Sequence, residues 1–143
     1  MATFSELRDA ITTVLAGALP GVTVYARVPE RANLPAIVVQ PTDATFPFTA
    51  GRAEDEWQFE LAVMVSYGEA GVAQEQLDQY ISGSGPTSIR QIFMQNRGLG
   101  RTDVLAAYVA GMNNYGTNFA MAGVDNLGCK LQVVVATTGP AWG

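Results

Sequence analysis

The feature of this sequence that most constrains its fold is a stretch of alternating residues from Glu56 to Tyr67. Its odd-numbered positions are all large and apolar, whereas its even-numbered positions begin with Glu56, Gln58 and Glu60. Alternation with a period of two predicts an antiparallel strand with one buried face. At about 3.4 Å per residue such a strand runs roughly 40 Å, which exceeds the usual strand length. The rest of the chain must therefore cover its apolar face.

Three segments with helical spacing are predicted to provide that cover. Thr3 and Glu6 form a capping box, and apolar residues then recur at helical spacing until a predicted end near Gly17. A second helix is predicted over residues 70–82. The third is predicted to carry Pro86 in its first turn, where the missing amide hydrogen does no harm.

Four further segments are predicted as strands. They are residues 22–27, 36–40, 105–115 and 126–137. The second is apolar at nearly every position, which predicts cover on both of its faces. Because proline has no amide hydrogen to donate, we expect Pro41 to end this strand and residues 42–53 to form a long loop.

This order of elements indicates an α+β fold, with an antiparallel or mixed β-sheet, a long central hairpin strand and helices packed on one face. The length is typical of a single domain. We expect this domain to span residues 1–137, followed by a flexible C-terminal tail over residues 138–143.

The composition argues against several classes of function. The net charge is −5, whereas a protein that grips nucleic-acid phosphates is basic. The chain has no histidine, so it lacks the usual general base at neutral pH and the usual ligand of zinc. We therefore expect no enzyme activity, no cofactor and no metal site. Residues 104–124 carry no charge, but their three asparagines argue against a membrane span.

A small ligand-binding domain is the alternative from a different functional class. Residues Gly83–Pro86 precede a predicted helix, where backbone amides can hold an anion, but they lack the lysine of a P-loop. The more ordinary interpretation is that they only connect two helices. Cys129 lies on the predicted apolar face of the last strand, where a cysteine acts as a small buried hydrophobic residue.

Charged residues are distributed unevenly along the chain. The interval between Arg52 and Arg90 contains acids and no bases, and Arg90, Arg97 and Arg101 then form the densest basic cluster. Opposite charges on two surfaces of one subunit favour a head-to-tail contact between copies, the kind that closes into rings. The alternative is an ordinary scatter of surface charge.

Two aromatic residues in the predicted loop, Phe46 and Phe48, also need a partner. They either fold back over the sheet or dock on another subunit. Together, the loop and the charged segments supply the candidate residues for an interface with another subunit or partner: Phe46, Phe48, Arg52, Glu54, Asp55, Arg90, Arg97 and Arg101.

Three stretches carry a resemblance to a known family: Asp55–Phe59, Gln74–Pro86 and Gly123–Gly128. With these motifs the chain resembles the tail terminator proteins of long, non-contractile-tailed bacteriophages, in particular those infecting actinobacteria. The resemblance extends from the first helix to the last strand. Its motifs are structural and not catalytic.

The resemblance implies an α+β subunit that assembles as a hexameric ring at the head-proximal end of the tail tube of the virion. Such a ring stops tube polymerisation and joins the tail to the head-side connector. The implied partners are copies of the chain itself, the tail tube protein and the connector or stopper protein, with no membrane. Genome DNA passes through the lumen without specific binding, which suits a negatively charged wall.

Family membership thus implies a structural virion protein with neither enzyme activity nor a cofactor. The nearest alternative is another head–tail connector, such as a stopper, or a minor tail protein of similar fold. Position in the assembled particle separates these alternatives.

Overall fold

Three helices and six strands make up the described part of the chain in the computed structural model. That part comprises residues 3–27, 33–46, 48–49, 52–66, 70–117 and 126–138. The helices are α1 (Phe4–Ala18), α2 (Ala70–Ile81) and α3 (Ile89–Gln95). The strands are β1 (Thr23–Tyr25), β2 (Ala36–Thr45), β3 (Phe48–Thr49), β4 (Arg52–Ser66), β5 (Val104–Thr117) and β6 (Asn126–Thr138).

The strands form a mixed sheet in the order β1-β2-β4-β6-β5, with β3 paired only to the start of β4. Strand β1 runs parallel to β2, and the other neighbours are antiparallel. Strand β4 is therefore central, and the predicted α+β fold with a long central strand is confirmed.

The odd-numbered face of β4 is buried against the helices, as its alternation predicts. Phe59 and Leu61 are almost completely buried there, together with the odd-numbered residues of β6. The helices α1, α2 and α3 all contribute to this same core cluster, so they pack on one face of the sheet. The helical residues of the cluster are Leu7, Ile11, Leu15, Ala73, Leu77, Tyr80, Ile89, Ile92 and Phe93.

A second, smaller cluster lies among even-numbered residues of β2 and β4. Ala36, Val38, Ala62 and Met64 are fully buried, and the partly buried Tyr25 packs against them. Because successive residues alternate between the two faces of a strand, this cluster explains why the first half of β2 is apolar at consecutive positions.

Strand β2 does not end at Pro41, so that prediction is wrong; the strand continues to Thr45. The register with β4 shifts between Pro41 and Asp43, and bulges and edge strands are where a sheet accommodates proline. On the other side of β2, strand β1 pairs only as far as Val38. Strand β1 therefore does not pair with β2 at Pro41, so no hydrogen bond to β1 is lost for want of an amide hydrogen there.

The predicted loop over residues 42–53 is also wrong, because most of it forms a hairpin. After β2 ends, the short strand β3 pairs with the start of β4 through Phe48–Ala53 and Thr49–Arg52. Strand β4 accordingly begins at Arg52, four residues before the predicted start. Its predicted last residue, Tyr67, lies outside the described residues.

The starts of α1 and α3 are capped by hydroxyl side chains. Thr3 is the cap of α1, with the Glu6 amide donating to Thr3 Oγ1 at 3.2 Å, which confirms the cap; the Thr3 hydroxyl, and not its amide, donates to the Glu6 carboxylate at 3.1 Å. The cap of α3 is Ser88, whose Oγ accepts from the Gln91 amide at 3.1 Å. Pro86 therefore precedes the cap of α3. The prediction that Pro86 lies in the first turn of this helix is wrong.

The last two strands extend slightly beyond their predicted limits. Strand β5 covers the predicted residues 105–115, and β6 includes Thr138, the first residue of the predicted tail. The Thr138 amide donates to the carbonyl of Asp103 at 2.9 Å, which ties the end of β6 to the segment before β5. Residues 139–143 of that tail lie outside the described residues.

Replacing Phe59 with alanine tests the helix-facing core. The ring is almost completely buried, and its centroid lies 5.6 Å from that of Phe4 in an edge-to-face arrangement. The change is expected to lower the free energy of unfolding by about 3–5 kcal/mol, measured by urea denaturation. Gln58→Ala, on the opposite face, is the control and should cost less than about 1 kcal/mol. Equal losses for the two variants would contradict the assigned burial.

Candidate assembly surface

Strand β5 forms one edge of the sheet in the described part of the chain. It is 14 residues long, and none of the described strands pairs with its outer side. Four of its large side chains are between 38% and 52% exposed: Leu105, Tyr108, Met112 and Tyr115. A long strand edge that exposes apolar residues is a site where another chain can add.

The β5 edge is interrupted by irregularities in its pairing with β6. The register shifts between Val104 and Ala106, between Val109 and Gly111, and between Asn113 and Gly116. Such bulges limit uncontrolled edge-to-edge pairing. The edge therefore offers short pairing segments with apolar side chains around them, and not one continuous ladder.

The opposite edge of the sheet is different. Strand β1 has only three residues, and beyond Val38 the outer side of β2 carries Pro41. Short edge strands and edge prolines are both devices that discourage pairing with another chain. The described sheet thus has one edge that discourages addition and one, β5, that exposes apolar residues.

The exposed residues of β5 were missed in the sequence, which predicts the strand but not its place at an edge. Leu105, Tyr108 and Met112 lie in an uncharged run, and such a run is equally typical of a buried strand. Strand order decides the outcome: β6 pairs with β4 on one side and with β5 on the other, which leaves β5 at the edge.

Phe46 lies beside the core with most of its ring exposed. Its centroid is 5.2 Å from that of Trp57, with the rings at 74°, and 59% of its surface is open to solvent. Trp57 is itself fixed, because its Nε1 donates to Thr137 Oγ1 at 2.8 Å. One side of Phe46 therefore packs on the core, as the first of the two alternatives has it, and the other side is exposed; docking on another subunit stays a prediction.

The remaining candidate interface residues near the hairpin differ in how exposed their side chains are. The side chains of Phe48 and Arg52 lie outside the described residues, although their backbones belong to β3 and β4. Glu54 is half-buried and lies opposite Thr138 in the ladder. Asp55 is only 7% exposed, so in the isolated subunit it offers little surface to a partner.

Arg101 forms ion pairs within its own subunit. Its Nε and Nη2 donate to the two carboxylate oxygens of Asp103, each at 2.9 Å, and Nη2 also lies 3.4 Å from Glu6 Oε2. These hydrogen bonds from Arg101 hold the pKa of Asp103 below its usual value, and Asp103 in turn raises the pKa of Arg101. The contact between Arg101 and Glu6 ties the segment before β5 to the start of α1.

Arg90 and Arg97, in contrast, are exposed. Neither forms an ion pair or a side-chain hydrogen bond with the described residues. Arg90 lines a cleft of about 300 Å³ together with Gly111 and Met112 of β5. The basic cluster of the sequence is thus divided into one internally paired arginine and two that remain available.

The groups most suited to covalent or ligand chemistry are engaged within the fold. Cys129 is fully buried, and burial raises the pKa of its thiol to about 11, so it stays protonated at neutral pH. Burial and the hydrogen bond to Asp78, 3.0 Å long, likewise raise the pKa of Tyr115. The expectation that Cys129 acts as a small hydrophobic residue is confirmed.

The Gly83–Pro86 connector uses its backbone groups internally. The Gly85 amide donates to Gln91 Oε1 at 2.8 Å, and the carbonyl of Gly85 accepts from the Ser88 amide at 3.1 Å. An amide that already donates to a side chain is not free to hold an anion. This geometry favours the connector over the phosphate-site interpretation.

Neither a scan against models of known protein families nor a search of curated proteins finds a match to this chain. Among the described residues, no helix is long and apolar enough to cross a membrane. Within the same residues, no three His, Cys, Asp or Glu side chains form a group that could hold a metal ion.

Replacing Asp103 with asparagine is expected to lower the free energy of unfolding at pH 7 by no more than about 1 kcal/mol, because a partly exposed ion pair contributes little. Since the pKa of Asp103 is lowered by folding, its carboxylate stabilises the fold above the ordinary Asp pKa. That contribution is lost as the pH falls through the folded pKa. The difference between parent and variant should be constant above about pH 5 and shrink below about pH 4.

Urea denaturation at a series of pH values measures this difference. Asp9→Asn, at an exposed position of α1, is the matched control and should show no comparable dependence. A difference that grows on acidification would contradict the Arg101–Asp103 pair.

Proposed function

We propose that this chain is a structural subunit of a bacteriophage tail, which assembles with copies of itself into a ring at the head-proximal end of the tail tube. The ring stops tube polymerisation and joins the tail to the head-side connector or stopper. This proposal starts from the sequence resemblance to tail terminators of long, non-contractile tails.

The exposed apolar edge of β5 is the observation that carries the proposal. Leu105, Tyr108 and Met112 each expose nearly half of their surface or more, and such exposure is a liability in a protein that acts alone. The opposite edge, with its short β1 and Pro41, discourages the same kind of pairing. Two unlike edges support a contact between different surfaces of identical copies, which is the arrangement that closes into rings.

The chemistry of the described side chains also supports a structural role. The chain has no histidine, the Cys129 thiol is buried, and the Asp103 carboxylate is held by Arg101. Nucleophilic and acid–base catalysis need an accessible group with a neighbouring base. We therefore propose neither enzyme activity nor a cofactor for this protein.

A net charge of −5 fits the proposed passage of DNA through the ring. A wall of like charge repels phosphate and does not retain the genome as it passes. Specific binding of DNA is therefore no part of the proposal.

Virions made without this chain test the proposed role. Electron microscopy should show tails of uncontrolled length that are not attached to heads, because nothing stops tube growth. Particles with tails of normal length that lack heads would instead identify a connector or stopper. Normal virions would contradict both roles.

Replacing Phe46 with serine should separate assembly from folding. Since 59% of the side chain is exposed, the free energy of unfolding is expected to fall by no more than about 1 kcal/mol. Incorporation into particles, measured as copies per purified virion, should fall more strongly, and further when Phe48→Ser is added. Thr45→Ser, at a neighbouring exposed position, is the control. If the Phe46→Ser, Phe48→Ser variant unfolds, the hairpin belongs to the core and not to the assembly surface.

A further inference from the structure

We infer that, in the proposed ring, the α3 flank of one copy docks on the α2 outer face of the next copy. The α3 flank consists of Arg90, Met94 and Arg97, and the α2 outer face consists of Val72 and Glu75. This inference rests on the proposed function and names the contact through which neighbouring copies meet.

The α3 flank combines positive charge with an exposed apolar side chain. Arg90 and Met94 are four residues apart, which places them on one side of α3. Met94 is 64% exposed, and the exposed Arg97 follows just after the C-cap of the helix, Asn96. The other side of α3 is buried through Ile89, Ile92 and Phe93.

The two arginines of this flank are available to a partner. Unlike Arg101, they form no ion pair with the described residues. Arg90 also lines the cleft that contains Gly111 and Met112 of β5. The α3 flank is therefore continuous with the exposed edge of β5, and the two form one surface.

The α2 outer face carries the complementary pair. Val72 is 57% exposed, and the exposed Glu75 follows it by one helical turn, whereas Ala73 and Leu77 point into the core. Glu75 forms no ion pair or side-chain hydrogen bond with the described residues. The nearby Asp78 is engaged, because its Oδ1 accepts from Tyr115. Glu75 is thus the acid of α2 that remains free for a neighbouring copy.

The two surfaces are different parts of the subunit, as a head-to-tail contact requires. The bond from Tyr115 shows that the Asp78 side of α2 is turned toward β5. Given 3.6 residues per turn, Val72 lies about 120° and Glu75 about 60° around the helix axis from Asp78. The α3 flank lies beside β5, and the α2 outer face lies to one side of the surface of α2 that is turned toward β5. Repeating this contact between copies builds a ring or an open helix, and not a two-fold dimer.

The chemistry of the two surfaces is complementary. Val72 and Met94 provide apolar contact at the centre, and Glu75 faces the positive charges of Arg90 and Arg97. Apolar centres with charged rims are typical of protein interfaces, in which the charges select the partner and its orientation. Because exposed ion pairs contribute little, the contact is expected to be weak in dilute solution and to be strengthened on the tail tube.

Paired cysteines provide the direct test. The purified Val72→Cys, Met94→Cys variant, at high concentration with a short bis-maleimide, should give a ladder of covalent oligomers. The native Cys129 does not interfere, because it is fully buried. Val72→Cys combined with Arg27→Cys, at the opposite edge of the sheet, is the matched control and should remain monomeric.

Each single-cysteine variant should also remain monomeric, because a head-to-tail contact brings two different residues together. A double variant that stays monomeric overturns the inference. Dimers from either single variant also overturn it, because they show the same face meeting itself.

Charge reversal tests the complementarity separately from the geometry. Arg97→Glu should reduce the yield of the ladder by about tenfold, and adding Glu75→Arg should restore it. Arg27→Glu is the control and should have no effect. Failure of Glu75→Arg to restore the ladder would show that these charges do not meet.

The cross-linking test of this contact and the virion test of the proposed function can fail independently. If virions without the chain have tails of uncontrolled length but the double-cysteine variant gives no ladder, the proposed function stands and this contact is wrong. If the ladder forms but tails are normal without the chain, the copies meet as inferred and the proposed function is wrong.

Discussion

The antiparallel pairing of β4 with β6 is the constraint on which the rest of the structure depends. It extends without a shift from Glu54–Thr138 to Ser66–Asn126. Because side chains alternate between the two faces, a slip of one residue would turn every apolar side chain of a strand to the other face. The matching alternation of the two strands therefore fixes their register. It also creates the apolar face on which the helices α1, α2 and α3 pack.

The surfaces proposed for assembly are what this core leaves uncovered. Strand β6 takes the place beside β4, so β5 can join the sheet only at the outer side of β6. Helix α3 buries Ile89, Ile92 and Phe93 and leaves Met94 exposed between two arginines. The resulting exposed apolar area costs free energy in a solitary subunit, and contact with a neighbouring copy in the proposed ring would remove it from water. In that proposal, folding and assembly bury different apolar residues of the same chain.

The three arginines of the basic cluster divide into one that the fold uses and two that stay exposed for the proposed assembly. The sequence places Arg90, Arg97 and Arg101 close together, which predicts a basic cluster but not how each member is used. In the fold, Arg101 is held by Asp103 and Glu6, and the other two remain exposed. Asp103 is only two residues from Arg101 in sequence, but the contact with Glu6 cannot be predicted from spacing, because Glu6 is 95 residues away. The candidate site was therefore only partly predictable.

The sequence by itself determined the features that depend on local spacing. The alternation of β4 and β6, the three helical segments, the hydroxyl cap at Thr3 and the lack of histidine are all readable without a fold. Tertiary structure alone decided that β2 continues past Pro41, that most of the predicted loop over residues 42–53 is strand, and that β5 lies at an edge. In each case the pairing of strands in the sheet, or the lack of a pairing partner, outweighs local preference. Local spacing therefore set the apolar faces of the core, and strand pairing decided which side chains remain exposed.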